Sequence, residues 1–353
     1  MGTRLLWFPR SENSELGHPA WEGSSDPGQA QTGRAMMAPI PLFTSPARSN
    51  FVMSTATMPR FSAETMAGVR KHIEGKLSEA TIEQHPFDHL VIEDFFPAEV
   101  FDRLIEFSPF RRNAGVEWQT REASADVTSK TPYHARKQIN FHADQDFEAP
   151  EDQLEFWAGL KRLFLEETWF ETAIFHKYRE YFQIRFGDLS LDPDFISLFT
   201  KEFFLQRHEP GYYIGPHTDV PARVFTCIFS LADREGFEEY GTELLKPKDR
   251  LDRCWGNDHY PPEDFDVVKV APYKPNNFLL FFKSRHSFHS VKAITEAVPN
   301  QRYGMQFQFY EPQGGLMHDL SAPDLMKVIR TNKESKTLSG RVKQAARVLL
   351  GKD

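Results

Sequence analysis

Two periodicities divide this chain. From 151 to 183 apolar residues return every three or four positions, with Leu154, Trp157, Leu160, Phe164, Trp169 and Phe175 on the recurring face. That spacing predicts one or two long helices with the stripe buried. After Gly187 the period shortens. Runs rich in β-branched and aromatic residues at 195–206, 212–217, 223–231, 267–270, 278–282, 288–294 and 303–310 are separated by turn-forming residues, which is the pattern of short strands. So many short strands in one stretch point to a closed or double-layer β architecture, not to alternating βαβ units. The last run alternates throughout: Arg302, Gly304, Gln306, Gln308 and Tyr310 share one face, and Tyr303, Met305, Phe307 and Phe309 the other. In a barrel with a polar cavity, the first face lines the site and the aromatics pack under flanking helices.

Upstream, the pattern predicts a weakly amphipathic helix over 61–84, a strand at 90–92 and a helix that begins at Pro97 and runs through Val100, Leu104, Ile105 and Phe107. Residues 137–141 read as a further strand within a polar stretch, 109–150. The segment 232–266 is long, charged and proline-containing, and reads as a loop or insertion at the mouth of a site. Within it, the sequence from Gly241 to Leu245 reads as a glycine turn before a small apolar strand. Residues 1–60 are rich in Pro, Gly, Ser and Ala without a sustained period, and read as a disordered extension; Met36, Met37, Met53 and Met58 fit an upstream addition to the coding start. Residues 321–353 form a basic tail with an amphipathic helix at 341–350, suited to a packed terminal helix or to a membrane-surface or partner contact.

Composition narrows the classes. Lys+Arg number 42 against 50 Asp+Glu, for a net charge of −8, which argues against a general nucleic-acid binder. With 32 phenylalanines in 353 residues the chain can bury a large core. Its two cysteines, Cys227 and Cys254, cannot build a disulfide framework and fit a reducing, cytoplasmic setting; Cys227 reads as a small buried residue. No apolar run approaches the ~20 residues of a membrane span.

The candidate chemistry centres on the stretch from Tyr212 to Asp219, with the order Tyr-Tyr-Ile-Gly-Pro-His-Thr-Asp. On an extended strand His217 and Asp219 point to one face, and an imidazole and a carboxylate there are two thirds of the 2-His-1-carboxylate set that holds non-haem Fe(II). Downstream come an apolar run at 278–282, His289-Ser-Val291, and Arg302 at the head of the last run. Together these motifs, over roughly 86–312, resemble the iron(II)/2-oxoglutarate-dependent dioxygenases, the prolyl-hydroxylase-like branch in particular. The resemblance implies a β-rich α+β fold, with a double-stranded β-helix (jelly-roll) core at 195–312 and helical support at 86–185, in a single domain over 61–320. It implies His217, Asp219 and His289 as Fe(II) ligands and Arg302 as partner of the 2-oxoglutarate C5 carboxylate. Arginine suits that task because its planar fork binds a carboxylate in bidentate fashion and stays charged when desolvated. His289 is preferred to His286 because Ser-Val follows it, as the family pattern requires; His286 lies in the preceding turn, either beside the site or exposed.

Family members place a tyrosine near 2-oxoglutarate in this segment. Tyr213 shares strand parity with His217, while packing remains an equal reading for Tyr212 and Tyr213. Two features depart from the pattern: His289 and Arg302 lie 13 residues apart, a longer gap than usual, and Gly304 stands where many relatives carry a hydroxyl. Tyr213, Gln206 or Gln308 would then complete the carboxylate contact. The implied activity consumes O2 and 2-oxoglutarate, yields succinate and CO2, draws support from ascorbate, and hydroxylates an unactivated C–H of a small metabolite or of a protein- or carrier-linked residue. Asp219 favours hydroxylation over halogenation, since halogenating members lack the carboxylate. The rival readings are a cupin-like metal-binding isomerase or binding module without 2-oxoglutarate, against which Arg302 argues, and a decayed site on an interaction protein. His134, His142, His208 and His259 lack ligand spacing and read as structural or exposed.

Overall fold

The computed structural model describes residues 62–108, 135–141, 151–249, 254, 256, 259–295 and 302–311. The expectations for 1–60, for most of 109–150 including His134 and His142, and for the tail at 321–353 lie outside them. The chain divides into Met1–Ala56 and Thr57–Asp353, and everything described belongs to the second unit.

Helix α1, Ala63–Glu79, starts where the Ser62 side chain accepts the Thr65 amide at 3.2 Å. It buries Val69, Ile73 and Leu77, one residue per turn. Strand β1, His89–Ile92, follows, and then α2, Ala98–Glu106, capped by Pro97 and burying Val100, Phe101 and Leu104. Strand β2 is Arg136–Phe141.

The expected long helices over 151–183 are broken into α3, Glu151–Lys161, a π-helical turn at Arg162–Glu166, α4, Trp169–Lys177, and α5, Arg179–Phe186. The π turn buries Leu163, Phe164 and Leu165 together, and Trp169 Nε1 donates to the Leu163 carbonyl at 2.6 Å. Three adjacent buried side chains cannot share one stripe of a regular α-helix, so the widened turn resolves the conflict. Leu154, expected in the core, is 38% exposed, and Phe175 is half-buried. Gly187 ends α5 with φ +56°, a conformation few other residues adopt.

The remaining strands are β3 (Thr200–His208), β4 (Ile214–His217), β5 (Arg223–Leu231), β6 (Thr242–Pro247), β7 (Phe265–Ala271), β8 (Pro275–Phe282), β9 (His289–Val291) and β10 (Arg302–Tyr310). They form two antiparallel sheets, ordered β1-β8-β5-β10-β3-β2 and β4-β9-β6-β7. The 232–266 segment is therefore not simply a loop. It holds β6 and the start of β7, with Thr242, Leu244 and Leu245 buried between charged neighbours that interrupt the apolar signal.

The helices cover the apolar face of the larger sheet, and this is where the phenylalanines go. Phe164 lies 5.0 Å from Phe203, Phe170 lies 5.2 Å from Phe307, and Phe225 lies 4.8 Å from Phe309 between ring centroids. The opposite face mixes polar residues with an apolar strip of Phe204, Ile228, Leu279 and Phe281. Across it, Arg302 pairs with His208 and His208 with Arg136; Gly304 lies between Gln206 and Ser230; Gln308 lies between Glu202 and Thr226. No helix among the described residues is long and apolar enough to cross a membrane.

Gly241, which leads into β6, touches the neighbouring backbone so closely that a Cβ there would lie 1.8 Å from the Ala271 carbonyl oxygen. Gly241→Ala is expected to destabilise the chain by about 3 kcal/mol or more, since backbone must move to admit a methyl group. An unchanged urea midpoint would contradict this packing.

Candidate metal centre

Strand β4 ends at His217 and β9 begins at His289, and the two residues are direct register partners. Asp219 is not on the strand. It sits two residues past the end of β4 and just before the turn at 221–222, and its carboxylate comes to the same side as the histidines. Thr218, between them, is buried and points elsewhere: its hydroxyl donates to the Cys254 carbonyl at 3.1 Å and accepts from Lys283 Nζ at 2.7 Å. The helical layer braces the same turn. Arg185 of α5 donates to the Pro221 carbonyl at 3.0 Å and to Glu311 at 2.5 Å.

One donor atom from each of His217, Asp219 and His289 lies within 4.8 Å of the others, and Asp219 Oδ1 is 3.9 Å from His289 Nε2. Both imidazoles are oriented alike. His217 Nδ1 donates to the Gly215 carbonyl at 2.8 Å, and His289 Nδ1 to the Ser287 carbonyl at 3.0 Å. Each Nε2 is then left as an acceptor, the tautomer a metal requires. Both carboxylate oxygens of Asp219 are held as well, Oδ1 by Arg223 at 2.9 Å and Oδ2 by Thr226 at 2.7 Å.

Burial drives His217 well below the usual imidazole range and lowers His289 too, only partly opposed by Asp219. Burial would raise the Asp219 carboxyl, but Arg223, His289, His217 and Thr226 hold it well below the ordinary carboxylate value. At neutral pH the donor set is two uncharged imidazole nitrogens and one carboxylate, which fits a divalent ion such as Fe(II). His208 is likewise held neutral by burial and by the charges of Arg302 and Arg136.

These shifts set a pH dependence for the metal-free chain. Below the unfolded histidine pKa of about 6.5 the unfolded state binds protons that native His208, His217 and His289 refuse. Stability is therefore expected to fall as pH drops from about 7 to 5, with the Asp219 contribution persisting until still lower pH. Equal urea midpoints at both ends of that interval would contradict the assignment.

Arg302 is buried at the head of β10, and its Nη1 donates to His208 Nδ1 at 3.0 Å. The guanidinium carbon sits 5.5 Å from the Tyr273 ring centroid, and Tyr212 stacks on His208 at 4.1 Å. With Nδ1 accepting, the His208 proton is on Nε2. That Nε2, Arg302 Nε, Gln206 Nε2 and Ser230 Oγ are all buried without a hydrogen-bond partner among the described residues. Their side chains line one pocket, together with Tyr273 and Leu279. Four unsatisfied donors converging on one cavity match an anionic ligand.

The hydroxyl absent at 304 has a counterpart here. A Cβ at Gly304 would lie 3.0 Å from the Phe229 carbonyl oxygen, whereas Ser230 stands directly across from Gly304 on β5. Of the expected substitutes, Gln206 lines the pocket, Gln308 instead accepts from Arg223 at 2.6 Å, and Tyr213 is half-buried before β4. His208 and Ser230 were invisible as site residues in the sequence; a polar residue at the end of each aromatic-rich strand was the available sign. The triad does not line this pocket. The two share a wall through β8, where Leu279 lines the pocket and Phe281, on the same strand face, is 4.5 Å from the His289 ring. His286 is exposed. His259 stacks on His217 at 4.9 Å, and the adjacent Tyr260 amide donates to the Pro216 carbonyl at 2.9 Å, so this segment straps the outer edge of β4.

No protein-family model matches the chain, and no curated protein matches it. Solved structures do match. A Pseudomonas putida prolyl-4-hydroxylase is 14% identical, with 70% of this chain and 99% of that one covered and a TM-score of 0.37. HygX from Streptomyces hygroscopicus, solved with nickel, 2-oxoglutarate and hygromycin B, is 10% identical, with 64% and 83% covered and a TM-score of 0.33. A Neurospora crassa protein, solved at full length with α-ketoglutarate and thymine, is 12% identical, with 70% and 81% covered and a TM-score of 0.34. The functional reading rests on the geometry of this chain's own residues.

Proposed function

We propose that this chain is an Fe(II)- and 2-oxoglutarate-dependent oxygenase that hydroxylates an unactivated C–H bond of a small molecule or of a protein- or carrier-linked residue. The catalytic domain runs over 61–320. The observation that carries the reading is the pairing of two sites along one wall: a neutral-His, ionised-Asp donor set, and a cavity whose buried donors face no anion. A simple metal-binding module has no use for the second. From β3 onward the chain crosses repeatedly between the two sheets, which supports a double-stranded β-helix core.

In this reading His217, Asp219 and His289 hold Fe(II), and Arg302, His208 and Ser230 receive the distal carboxylate of 2-oxoglutarate. Fe(II) held there would supply the oxidising chemistry, with O2 and the 2-oxo acid consumed and succinate and CO2 formed overall. The chain's part is geometric. Backbone carbonyls fix both imidazoles, and Arg223 and Thr226 prevent the Asp219 carboxylate from rotating. Phe281 and Leu279 give the two sites one apolar wall, which keeps water from the path between them.

The test is succinate formation from 2-oxoglutarate by the full chain with Fe(II) and ascorbate. Slow turnover without added substrate is expected, since uncoupled decarboxylation needs only the two sites. No turnover together with no Fe(II)-dependent binding of 2-oxoglutarate would overturn the reading.

A further inference from the structure

Outside the co-substrate pocket lies a second nearly buried arginine, whose one task so far is to hold the Asp219 carboxylate. Arg223 opens β5, and its guanidinium donates to Asp219 Oδ1 at 2.9 Å, to Gln308 Oε1 at 2.6 Å and to the Tyr310 hydroxyl at 2.5 Å. Its Nε is buried and has no hydrogen-bond partner among the described residues. Holding a carboxylate in place needs one hydrogen bond and a nearby charge. A fully charged fork with a donor left over is more than that task requires.

Position separates Arg223 from the anion pocket. Along β10 the order is Arg302, then Gln308, which is level with Thr226 and so with the Asp219 carboxylate, then Tyr310. A ligand reaching from the metal back to Arg302 occupies one side of Asp219. Arg223, bound to Gln308 and Tyr310, lies on the other side.

Charge points the same way. Among the described residues Asp219 is the single carboxylate hydrogen-bonded to Arg223, and it also lies in the field of the buried Lys283 ammonium. A divalent ion would add two positive charges, and the metal-bound end of a 2-oxo acid would return only one negative charge. Glu202 accepts from Tyr310 at 2.9 Å, but it is exposed and screened by water. The Arg223 side of the donor set would therefore keep a net positive charge at low dielectric, which favours an anionic occupant.

We propose that Arg223, with Tyr310, forms a second anion site that anchors the substrate through a carboxylate or phosphate group and so sets which C–H bond lies against the metal. This rests on the oxygenase reading, in which Arg302 serves the co-substrate. An anion there takes the open Arg223 Nε–H and, in place of Glu202 and Gln308, the one hydrogen bond Tyr310 can donate, while Asp219 keeps its contact with Nη1.

The test uses the full chain with Mn(II), a redox-silent probe, and saturating 2-oxoglutarate. It is titrated calorimetrically with inorganic phosphate and separately with acetate, so the two arms tell a phosphate site from a carboxylate site. Saturable binding of at least one anion is expected. Tyr310→Phe, which leaves the Asp219 contacts untouched, should weaken it by about tenfold. Arg223→Lys should weaken it by about as much, because the fork is lost while the charge is kept. Lys292→Met, which removes a cation outside both sites, should leave it within about twofold. No saturable binding, binding unchanged in both Tyr310→Phe and Arg223→Lys (an anion on the metal alone), or loss in Lys292→Met would each overturn the proposal. Repeating the phosphate titration without Mn(II) and 2-oxoglutarate separates the two claims: a chain that binds no 2-oxoglutarate yet shows an Arg223-dependent anion sinks the oxygenase reading and keeps the anion site.

Discussion

Asp219→Ala is expected to strip the chain of its metal and to lower its stability by about 3–5 kcal/mol, the cost of breaking a buried ion pair by removing one partner. Both effects follow from the same contacts. The carboxylate supplies the only negative charge of the donor set, and it is also the hydrogen-bonded counter-ion of Arg223, whose side chain is 11% exposed. Removing it leaves a desolvated guanidinium with, among the described residues, only the neutral hydrogen-bond partners Gln308, Tyr310 and, at 3.5 Å, Thr226. The double variant Asp219→Ala/Arg223→Met should recover much of the stability, because the unpaired charge is gone, but none of the metal binding. Denaturant midpoints and a metal titration on the three proteins check this. A single variant that keeps wild-type stability, or a double variant that regains metal, would contradict the arrangement.

Arg302→Met is expected to act in the opposite way. Affinity for 2-oxoglutarate should fall by about 100-fold or more, since the pocket would retain polar groups but no charge. Metal affinity should change little, because none of the three donors touches Arg302. The unliganded chain should not be destabilised and could gain stability, because Arg302 is buried among donors, and replacing a buried charge by a methionine of similar length relieves its desolvation. A strong loss of stability in this variant would mean that Arg302 holds the fold together and does not wait for a ligand.

Where a side chain and its local pattern agree, the sequence was readable. Strand β5 coincides with the 223–231 run, and the alternation at 302–310 does separate a polar cavity face from the aromatics under the helices. The His-Thr-Asp motif marked two residues that the structure brings together with His289, although β4 itself ends at His217, two residues before Asp219. Three things could not be read. The π turn at 162–166 depends on how Phe164 meets Phe203 and Phe229, contacts far apart in sequence. The full extent of strand β6, beyond the turn and short strand read at Gly241 to Leu245, was hidden because Glu243 and Lys246 break its apolar run while pairing with neighbours carries it to Pro247. The roles of His208 and Ser230 exist only across strand pairs, where β3 and β5 flank β10 on either side. Local patterns encode which face is buried; they do not encode which strand lies next door.

The central claim is that the triad and the Arg302 pocket serve one co-substrate together. The most direct measurement is anaerobic calorimetric titration of the full chain with 2-oxoglutarate, with and without Fe(II), in wild type, Asp219→Ala and Arg302→Met. Tight binding that requires Fe(II) and is lost in both variants is expected. Binding that ignores the metal, or that survives either substitution at wild-type strength, would contradict it.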